Sequence, residues 1–363
     1  MSLRHYAFVL VVAAVATLIL TPLVRRISLH FGLVDAPDSR KVHTAAISRL
    51  GGVAMFLGFL IAVSVEALGE VYLGWGRALF QSGQQVAGVL VGACVIFAVG
   101  LVDDVRTLKP GPKFLGQLVA AVVVIGSGLR IEFLGNPLGG GLIALGLAGL
   151  PITLIYIVGF TNVINLIDGL DGLAAGVSAI AAVSFLVLAI QSNQLDAAAL
   201  AAAVIGVCLG FLRYNFHPAS IFMGDSGAMF LGFILATISL LGVMKSVAAI
   251  TLVVPLLIIG VPIFDTASAI VRRLRHKRPI QEADRGHIHH RLLGRGFDQR
   301  QTVLIIYVWS AALAVGAWAM RYAPTLIKLA TFVVLAVLSG FMAHWLGLFE
   351  AAHHHVEEHD PDA

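Results

Sequence analysis

Four polar side chains at a spacing of three residues interrupt the apolar middle of the chain. They are Asn162, Asn165, Asp168 and Asp171, and Gly169 and Gly172 close the segment. Ionisable groups at a membrane boundary need partners or water, so this cluster predicts a site. The glycines favour a helix that ends before a loop carrying the two carboxylates. These oxygen donors suit Mg²⁺, which prefers one or two protein ligands besides water and phosphate oxygens. The alternative is a polar turn between two helices.

Three further carboxylates lie at the ends of apolar segments. Asp103 and Asp104 end one segment before a basic stretch that includes Lys113, and Asp225 stands between glycines at the start of another. Adjacent residues on a helix point about 100° apart, so Asp103 and Asp104 should have separate roles. One could accept a proton while the other organises the site. The alternatives are solvated acids at a helix end and a simple N-cap at Asp225.

Histidines stand in the most basic loop of the chain. His287, His289 and His290 follow Arg285, and on a helix His287 and His290 would share a face while His289 turned away. Imidazole beside arginine favours phosphate binding and proton transfer. The alternative is topological charge that also attracts anionic lipid. Asp265, inside an apolar segment, is a weaker candidate, because pairing with a neighbouring helix explains it almost as well.

The composition of the chain identifies the elements that carry these residues. Of 363 residues, 59% are hydrophobic and only 12% are charged, which excludes a soluble domain. The apolar runs have the length of about 20 residues that a membrane-spanning helix needs, and the alternating pattern of a barrel is absent. The sequence therefore predicts an all-α polytopic membrane protein. The two cysteines lie in apolar runs, so no disulfide framework is expected.

Eleven spans are predicted, with the N-terminus outside and the C-terminus in the cytoplasm. They lie near residues 4–24, 50–69, 86–102, 114–128, 142–162, 172–191, 197–213, 227–244, 248–270, 302–320 and 325–346. One set of loops holds 18 of the 24 lysines and arginines, and such loops are cytoplasmic. Residues 1–346 form one bundle with cytoplasmic loops at 25–49, 103–113, 163–171, 214–226 and 271–301, and residues 347–363 form a polar cytoplasmic tail. Every polar cluster then lies on the cytoplasmic side.

Six motifs, in order along nearly the whole chain, resemble the polyprenyl-phosphate N-acetylhexosamine-1-phosphate transferases. They are Arg40-Lys41-x-His43 with Arg49-x-Gly51-Gly52, Asp103-Asp104, Asn162 to Gly172, Gly224-Asp225-Ser226-Gly227, Pro262 to Thr266, and His287-x-His289-His290. The resemblance implies a bundle of ten or eleven helices with a cytoplasmic active site. It implies Mg²⁺-dependent transfer, with Mn²⁺ as a substitute, of a sugar-1-phosphate from a UDP-N-acetylamino sugar to a polyprenyl phosphate, with release of UMP.

The same resemblance implies roles for individual residues. Asn165 and Asp225 would be metal ligands, and Asp103, with Asp104 beside it, would engage or deprotonate the lipid phosphate. Asp168 and Asp171 would shape the nucleotide and metal pocket, and His287, His289 and His290 would form the sugar-phosphate loop. The residues that would bind substrate or cofactor are Arg40, Lys41, His43, Lys113, Asn162 and Arg285.

The histidine loop is similar to that of the branch using UDP-N-acetylglucosamine and undecaprenyl phosphate to start cell-envelope glycans. The peptidoglycan branch, which transfers phospho-MurNAc-pentapeptide, has three consecutive histidines and then an aromatic residue, whereas this chain has Ile288 and Arg291. That branch and other UDP-N-acetylamino sugars are the alternatives. An ion-coupled transporter and a lipid-binding scaffold are remoter ones. We expect a bacterial inner-membrane protein that binds no nucleic acid, and leave a homodimer open.

Overall fold

Helices dominate the computed structural model, which describes residues 3–35, 47–72, 74, 79, 82–135, 141–242, 252–275, 277, 286–320 and 323–349. The first seven helices are α1 (Leu3–His30), α2 (Gly51–Tyr72), α3 (Gly83–Arg106), α4 (Pro110–Gly126), α5 (Gly149–Ile167), α6 (Leu173–Gln191) and α7 (Leu195–Asn215). The others are α8 (Gly224–Gly242), α9 (Val253–Ile258), α10 (Gly260–Arg275), α11 (Ile288–Gly294), α12 (Gln299–Met320) and α13 (Thr325–Leu346).

The described helices confirm an all-α polytopic membrane protein. Nine of those in the described ranges are long and apolar enough to cross a bilayer. Two predicted spans differ: α4 has only 17 residues, and helices α9 and α10 stand where one span was expected at 248–270. Residues 248–251 of that span lie outside the described part. The fifth span was also placed too early, because β4 (Leu142–Ala144) and a short 3-10 turn precede α5.

Helix α8 is the centre of the bundle. Within the apolar stretch of α8, 89% is buried inside the protein, whereas only 11% of the corresponding stretch of α13 is buried. Helices α2, α3, α5, α6 and α7 all pack against α8. Glycines permit the closest approaches: a Cβ at Gly52 would lie 2.2 Å from the Gly227 nitrogen, and one at Gly100 would lie 2.5 Å from the Ser226 Cα. The first turn of α8 is therefore held between α2 and α3.

A short extended segment joins the starts of α2 and α8. Ser48, in β2 (Ile47–Ser48), accepts a hydrogen bond from the Phe222 amide at 2.8 Å, and Gly52 donates to the Met223 carbonyl at 2.7 Å. β2 also pairs with β1 (Val34–Asp35), across residues 36–46, which lie outside the described part. Elsewhere, β3 (Phe133–Gly135) pairs antiparallel with β4.

Candidate active site

Five of the predicted site residues converge where four helices end or begin. Asp103 and Asp104 lie in the last turn of α3 and Lys113 in the first turn of α4. Asn165 lies in the last turn of α5 and Asp225 in the first turn of α8. Hydrogen bonds link all five side chains or their backbones directly or through one another. The cluster therefore lies at one end of the bundle, as the sequence predicts.

Lys113 joins two of the carboxylates. Its Nζ donates to Asp103 Oδ2 at 2.9 Å and to Asp225 Oδ1 at 2.7 Å. The side-chain amide of Asn165 donates to the same Asp225 oxygen at 2.5 Å. The other oxygen of Asp103 accepts from the Leu108 amide at 2.5 Å, and the intervening Thr107 has a φ of 47°. Asp103 thus fixes the turn between α3 and α4 while it faces the cluster.

Asp104 has a different set of partners from its neighbour. Its Oδ1 accepts from the Asp225 amide at 2.6 Å, and its Oδ2 accepts from the Ser226 amide at 3.0 Å and the Ser226 hydroxyl at 2.5 Å. These N–H groups belong to the first turn of α8, where a carboxylate satisfies unpaired donors and complements the helix dipole. Asp104 therefore caps α8 from a neighbouring helix and orients Asp225. The two adjacent acids thus have different hydrogen-bond partners, as their spacing predicts.

The donors around Asp225 fit a magnesium ion that keeps most of its ligands from water and substrate. The group combines the carboxylate of Asp225 with the side-chain amide of Asn165. If that amide is flipped, its oxygen takes the position of its nitrogen beside Asp225. Mg²⁺ is commonly bound by one or two such groups besides phosphate oxygens. Within the described residues, no three His, Cys, Asp or Glu side chains form a group that could hold a metal. A closed, all-protein metal cage is thus not what these residues offer.

The loop between α5 and α6 carries Asp168 and Asp171, as predicted. Asp168 ends α5, and burial, together with the charges of Asp225 and Asp104, raises its pKa to about 7. Asp171 accepts from His217 Nδ1 at 2.8 Å and from the Ala219 amide at 3.0 Å. Asp168 can therefore hold or release a proton near neutral pH, while Asp171 fixes the loop before α8.

Asp265 holds the histidine motif in place. Its Oδ2 lies 2.9 Å from His287 Nδ1, and its Oδ1 accepts from the Ile288 amide at 2.8 Å. The carboxylate thus caps α11 from α10, and His287 would donate its Nδ1 proton to it, which leaves Nε2 as the free ring nitrogen. Asp265, the weaker candidate, therefore positions the histidine motif, although its contacts alone do not make it catalytic.

His289 faces the acidic loop rather than turning away. Its ring stacks parallel to that of His287 with centroids 5.8 Å apart, and its Nε2 would lie 2.7 Å from a Cβ at Gly169. The expected pairing of His287 and His290 on one face is therefore wrong, because α11 begins only at Ile288 and His287 precedes the helix. Burial lowers the pKa of His289 to about 3, so its ring is neutral. The histidine loop and the Asp168 loop are thus neighbours.

Some predicted site residues lie elsewhere or outside the described part. Arg40, Lys41, His43 and Arg285 fall in ranges that the structure does not describe. Asn162 forms a two-way amide pair with Gln117, at 2.6 and 3.2 Å, and so joins α5 to α4. Gln117 and Ser226 are not predicted as site residues from the sequence, although Ser226 lies in one of the six motifs. Gln117 is a buried polar residue inside a predicted span, and that signal could have identified it.

The fold and the site together define a helical membrane protein with a cluster of three carboxylates, one amide and one lysine at one end of its bundle. Residues 86–243 match Glycosyl transferase family 4. A Bacillus subtilis protein named "Probable undecaprenyl-phosphate N-acetylglucosaminyl 1-phosphate transferase" is 39% identical over 338 residues, which cover 93% of this chain and 91% of that protein. The decaprenyl-phosphate N-acetylglucosaminephosphotransferase of Mycobacterium tuberculosis is 38% identical over 87% of this chain and 82% of its own length.

A more distant relative agrees with these two. The undecaprenyl-phosphate alpha-N-acetylglucosaminyl 1-phosphate transferase of Yersinia pestis is 29% identical, over 87% of this chain and 86% of its own. The chain belongs to glycosyl transferase family 4. It is therefore a transferase, which confirms the resemblance drawn from the six motifs.

Proposed function

We propose that this enzyme transfers N-acetylglucosamine-1-phosphate from UDP-N-acetylglucosamine to undecaprenyl phosphate and releases UMP. The observation that carries the proposal is the group formed by Asp103, Lys113, Asn165 and Asp225 at one end of the bundle. The names of the three relatives support the donor sugar and the class of lipid acceptor. Such a reaction brings two anionic substrates together, and a site for it needs both cationic groups and acids.

The reaction joins an oxygen of the lipid phosphate to the β-phosphorus of the nucleotide sugar and breaks the bond between the β-phosphorus and the oxygen of UMP. Asn165 and Asp225 would hold Mg²⁺, which supplies neutralisation of the charge that develops on the diphosphate. The ammonium group of Lys113 has three N–H donors and contacts two carboxylates, so it can also donate a hydrogen bond to a phosphate oxygen. Asp103, on the other side of Lys113, would accept the proton of the lipid phosphate.

The remaining residues of the group act by position. Asp104 keeps the first turn of α8 in the orientation that presents Asp225. His289 stands next to the Asp168 loop, where the nucleotide diphosphate would approach from the histidine side. Electrostatic catalysis of this kind depends on groups that are already oriented before the substrate binds. The dense hydrogen bonding of Asp103, Asp104 and Asp225 supplies that orientation.

The proposal includes the membrane side on which the reaction takes place. The uneven distribution of lysine and arginine supports a cytoplasmic site, with the N-terminus outside and the C-terminus inside. That arrangement needs eleven crossings, of which α4 and the pair α9 and α10 would supply the two beyond the nine long helices. Bacterial relatives support a location in the bacterial plasma membrane. A cytoplasmic site has direct access to nucleotide sugars.

Release of UMP from a panel of UDP-sugars tests the proposal. Purified enzyme in vesicles with undecaprenyl phosphate and Mg²⁺ should release UMP with UDP-N-acetylglucosamine and much more slowly with UDP-glucose or UDP-MurNAc-pentapeptide. Chelation by EDTA should stop release, and added Mg²⁺ or Mn²⁺ should restore it. Asp225→Ala should reduce turnover to background. Equal release without lipid, or a preference for another sugar, would overturn the assignment of acceptor or donor.

A further inference from the structure

Two arginines flank the histidine helix α11 and contact the end of α13. Arg272, on α10, donates from Nη1 to the Leu348 carbonyl at 2.5 Å. Arg295, which follows α11, donates through Nη2 to the Trp345 carbonyl, and its guanidinium lies 4.5 Å from the centre of the Trp345 ring. The end of α13 therefore accepts hydrogen bonds from both sides of the histidine motif.

The end of α13 and the residues just after it are well suited to bind the two arginine side chains. The Trp345 carbonyl, in the last turn of α13, has no partner within the helix, and the negative end of the helix dipole favours arginine there. The Leu348 carbonyl lies two residues beyond the helix and accepts from Arg272. Gly347 has a φ of 63° and turns the chain back, so Leu348 is fully buried although residues 347–363 were predicted to be a polar tail. Phe349 continues this contact, with its ring 5.8 Å from the guanidinium of Arg275. Residues 345–349 are called the C-terminal clamp below.

Arg272 connects the clamp to the start of the histidine motif. It lies seven residues after Asp265 on α10, which is two helical turns, so both side chains lie on one face. Asp265 holds His287 and Ile288, and Arg272 packs so closely on Gly286 that a Cβ there would lie 2.3 Å from its Cζ. Arg272 is 3% exposed and cannot move without displacing the residue before His287. The position of the clamp is thus transmitted to the histidines.

We propose that the C-terminal clamp is a positioning element of the active site, which holds α11 so that His289 stays against the Asp168 loop. The proposal rests on the proposed function, because the histidines are placed in that reaction's site. The clamp touches none of the reacting atoms. Its loss should therefore lower turnover by letting α11 move, and it should leave the bundle itself stable.

Substitution of the exposed part of the clamp tests this in the full-length enzyme. Trp345→Ala removes the ring beneath Arg295, and a cation–π contact at a partly exposed site is worth about a fivefold effect. We expect kcat for UMP release to fall by about that factor with an unchanged melting temperature, and Trp345→Phe to restore most of it. Trp318→Ala is the matched control, because Trp318 is 44% exposed on α12, away from the clamp.

A double-mutant cycle shows whether Arg295 and Trp345 act together. Arg295→Gln should cost as much as Trp345→Ala or more, and the double variant should be no worse than Arg295→Gln alone. Additive effects, or a Trp345→Ala enzyme equal to the Trp318→Ala enzyme, would overturn the proposal. A loss of activity that is accompanied by a lower melting temperature would also overturn the proposal, because the clamp would then support only the stability of the bundle.

Limited proteolysis separates this proposal from the proposed function. Trypsin cleaves after Arg291 and Arg295 when α11 is mobile, whatever reaction the enzyme catalyses. We expect Trp345→Ala to be cleaved there several times faster than the Trp318→Ala control. If the wild type released no UMP, the proposed function would fail while faster cleavage still supported the clamp. If cleavage rates were equal, the clamp would fail while UMP release still supported the function.

Discussion

Replacement of Asp104 by asparagine should slow the enzyme by positioning alone. The carboxylate accepts from two amides and one hydroxyl in the first turn of α8. Asparagine keeps one oxygen, which can serve the Asp225 amide, and places an NH₂ group opposite Ser226. The Ser226 amide then has no acceptor, and the negative charge that Asp104 places at the start of α8 is lost. Asp225 should consequently shift from its present orientation.

The size of the effect follows from these contacts. A buried donor without an acceptor costs about 1–3 kcal/mol, and loss of a charge at a helix N-terminus costs roughly 0.5–1 kcal/mol. A total of about 1.5–4 kcal/mol corresponds to a decrease of roughly 10- to 900-fold, if all of it opposes the transition state. Ser226→Ala removes only the hydroxyl bond and should cost about tenfold. The double variant should be little worse than Asp104→Asn, because both changes act on the same contact.

Initial rates of UMP release at saturating and limiting donor give kcat and kcat/KM for all three variants. A loss above about ten-thousandfold in Asp104→Asn, with Ser226→Ala equal to wild type, would refute the positioning role and make Asp104 a direct participant. Wild-type rates in both single variants would show that these hydrogen bonds do not orient Asp225.

Three further predictions concern other contacts. Gly52→Ala should lower the melting temperature, because its Cβ would lie 2.2 Å from the Gly227 nitrogen and overpacking costs about 1–3 kcal/mol. Gly159→Ala is the control, because a Cβ there would meet nothing within 4 Å. Equal melting temperatures of the two variants would contradict the close packing. Asp265→Asn should lower kcat at least tenfold, because either His287 or the Ile288 amide loses its acceptor, and unchanged kinetics would contradict that role. His289 has a folded pKa of about 3 and an ordinary value of 6.5, so the unfolded chain takes up the proton first and stability falls as the pH drops below about 6.5. Between pH 7 and pH 5 this amounts to about 2 kcal/mol, so the melting temperature of His289→Gln should fall less over that range than that of the wild type.

The helical class and the convergence of the acidic motifs could be predicted from the sequence. Long apolar runs define membrane helices, and the charge distribution places Asp103, Asn165 and Asp225 at span ends that share one side. Hydrogen bonds between them confirm that they meet. The separate directions of Asp103 and Asp104 also follow from helix geometry alone, since adjacent residues on a helix point about 100° apart.

Contacts between distant segments could not be predicted in this way. Asp104 lies 121 residues before the amide that it caps, and Asp265 lies 22 residues before His287. Periodicity reports which face of a helix is apolar, but it does not report which neighbouring helix that face meets. The prediction for His289 is wrong for a related reason, because the sequence suggests one continuous helix through the motif, whereas α11 begins inside it. The exact start of a short helix depends on its caps, and here the cap comes from α10.

The most direct test of the central claim follows the two phosphates of the donor. The account predicts that enzyme given UDP-N-acetylglucosamine labelled with ³²P in the β-phosphate will place the label in the butanol-soluble lipid and release unlabelled UMP into water. Transfer of the sugar without its phosphate would instead leave labelled UDP in the water and an unlabelled lipid product. That second result would contradict the proposed role of the group around Asp225 as a site of phosphoryl transfer.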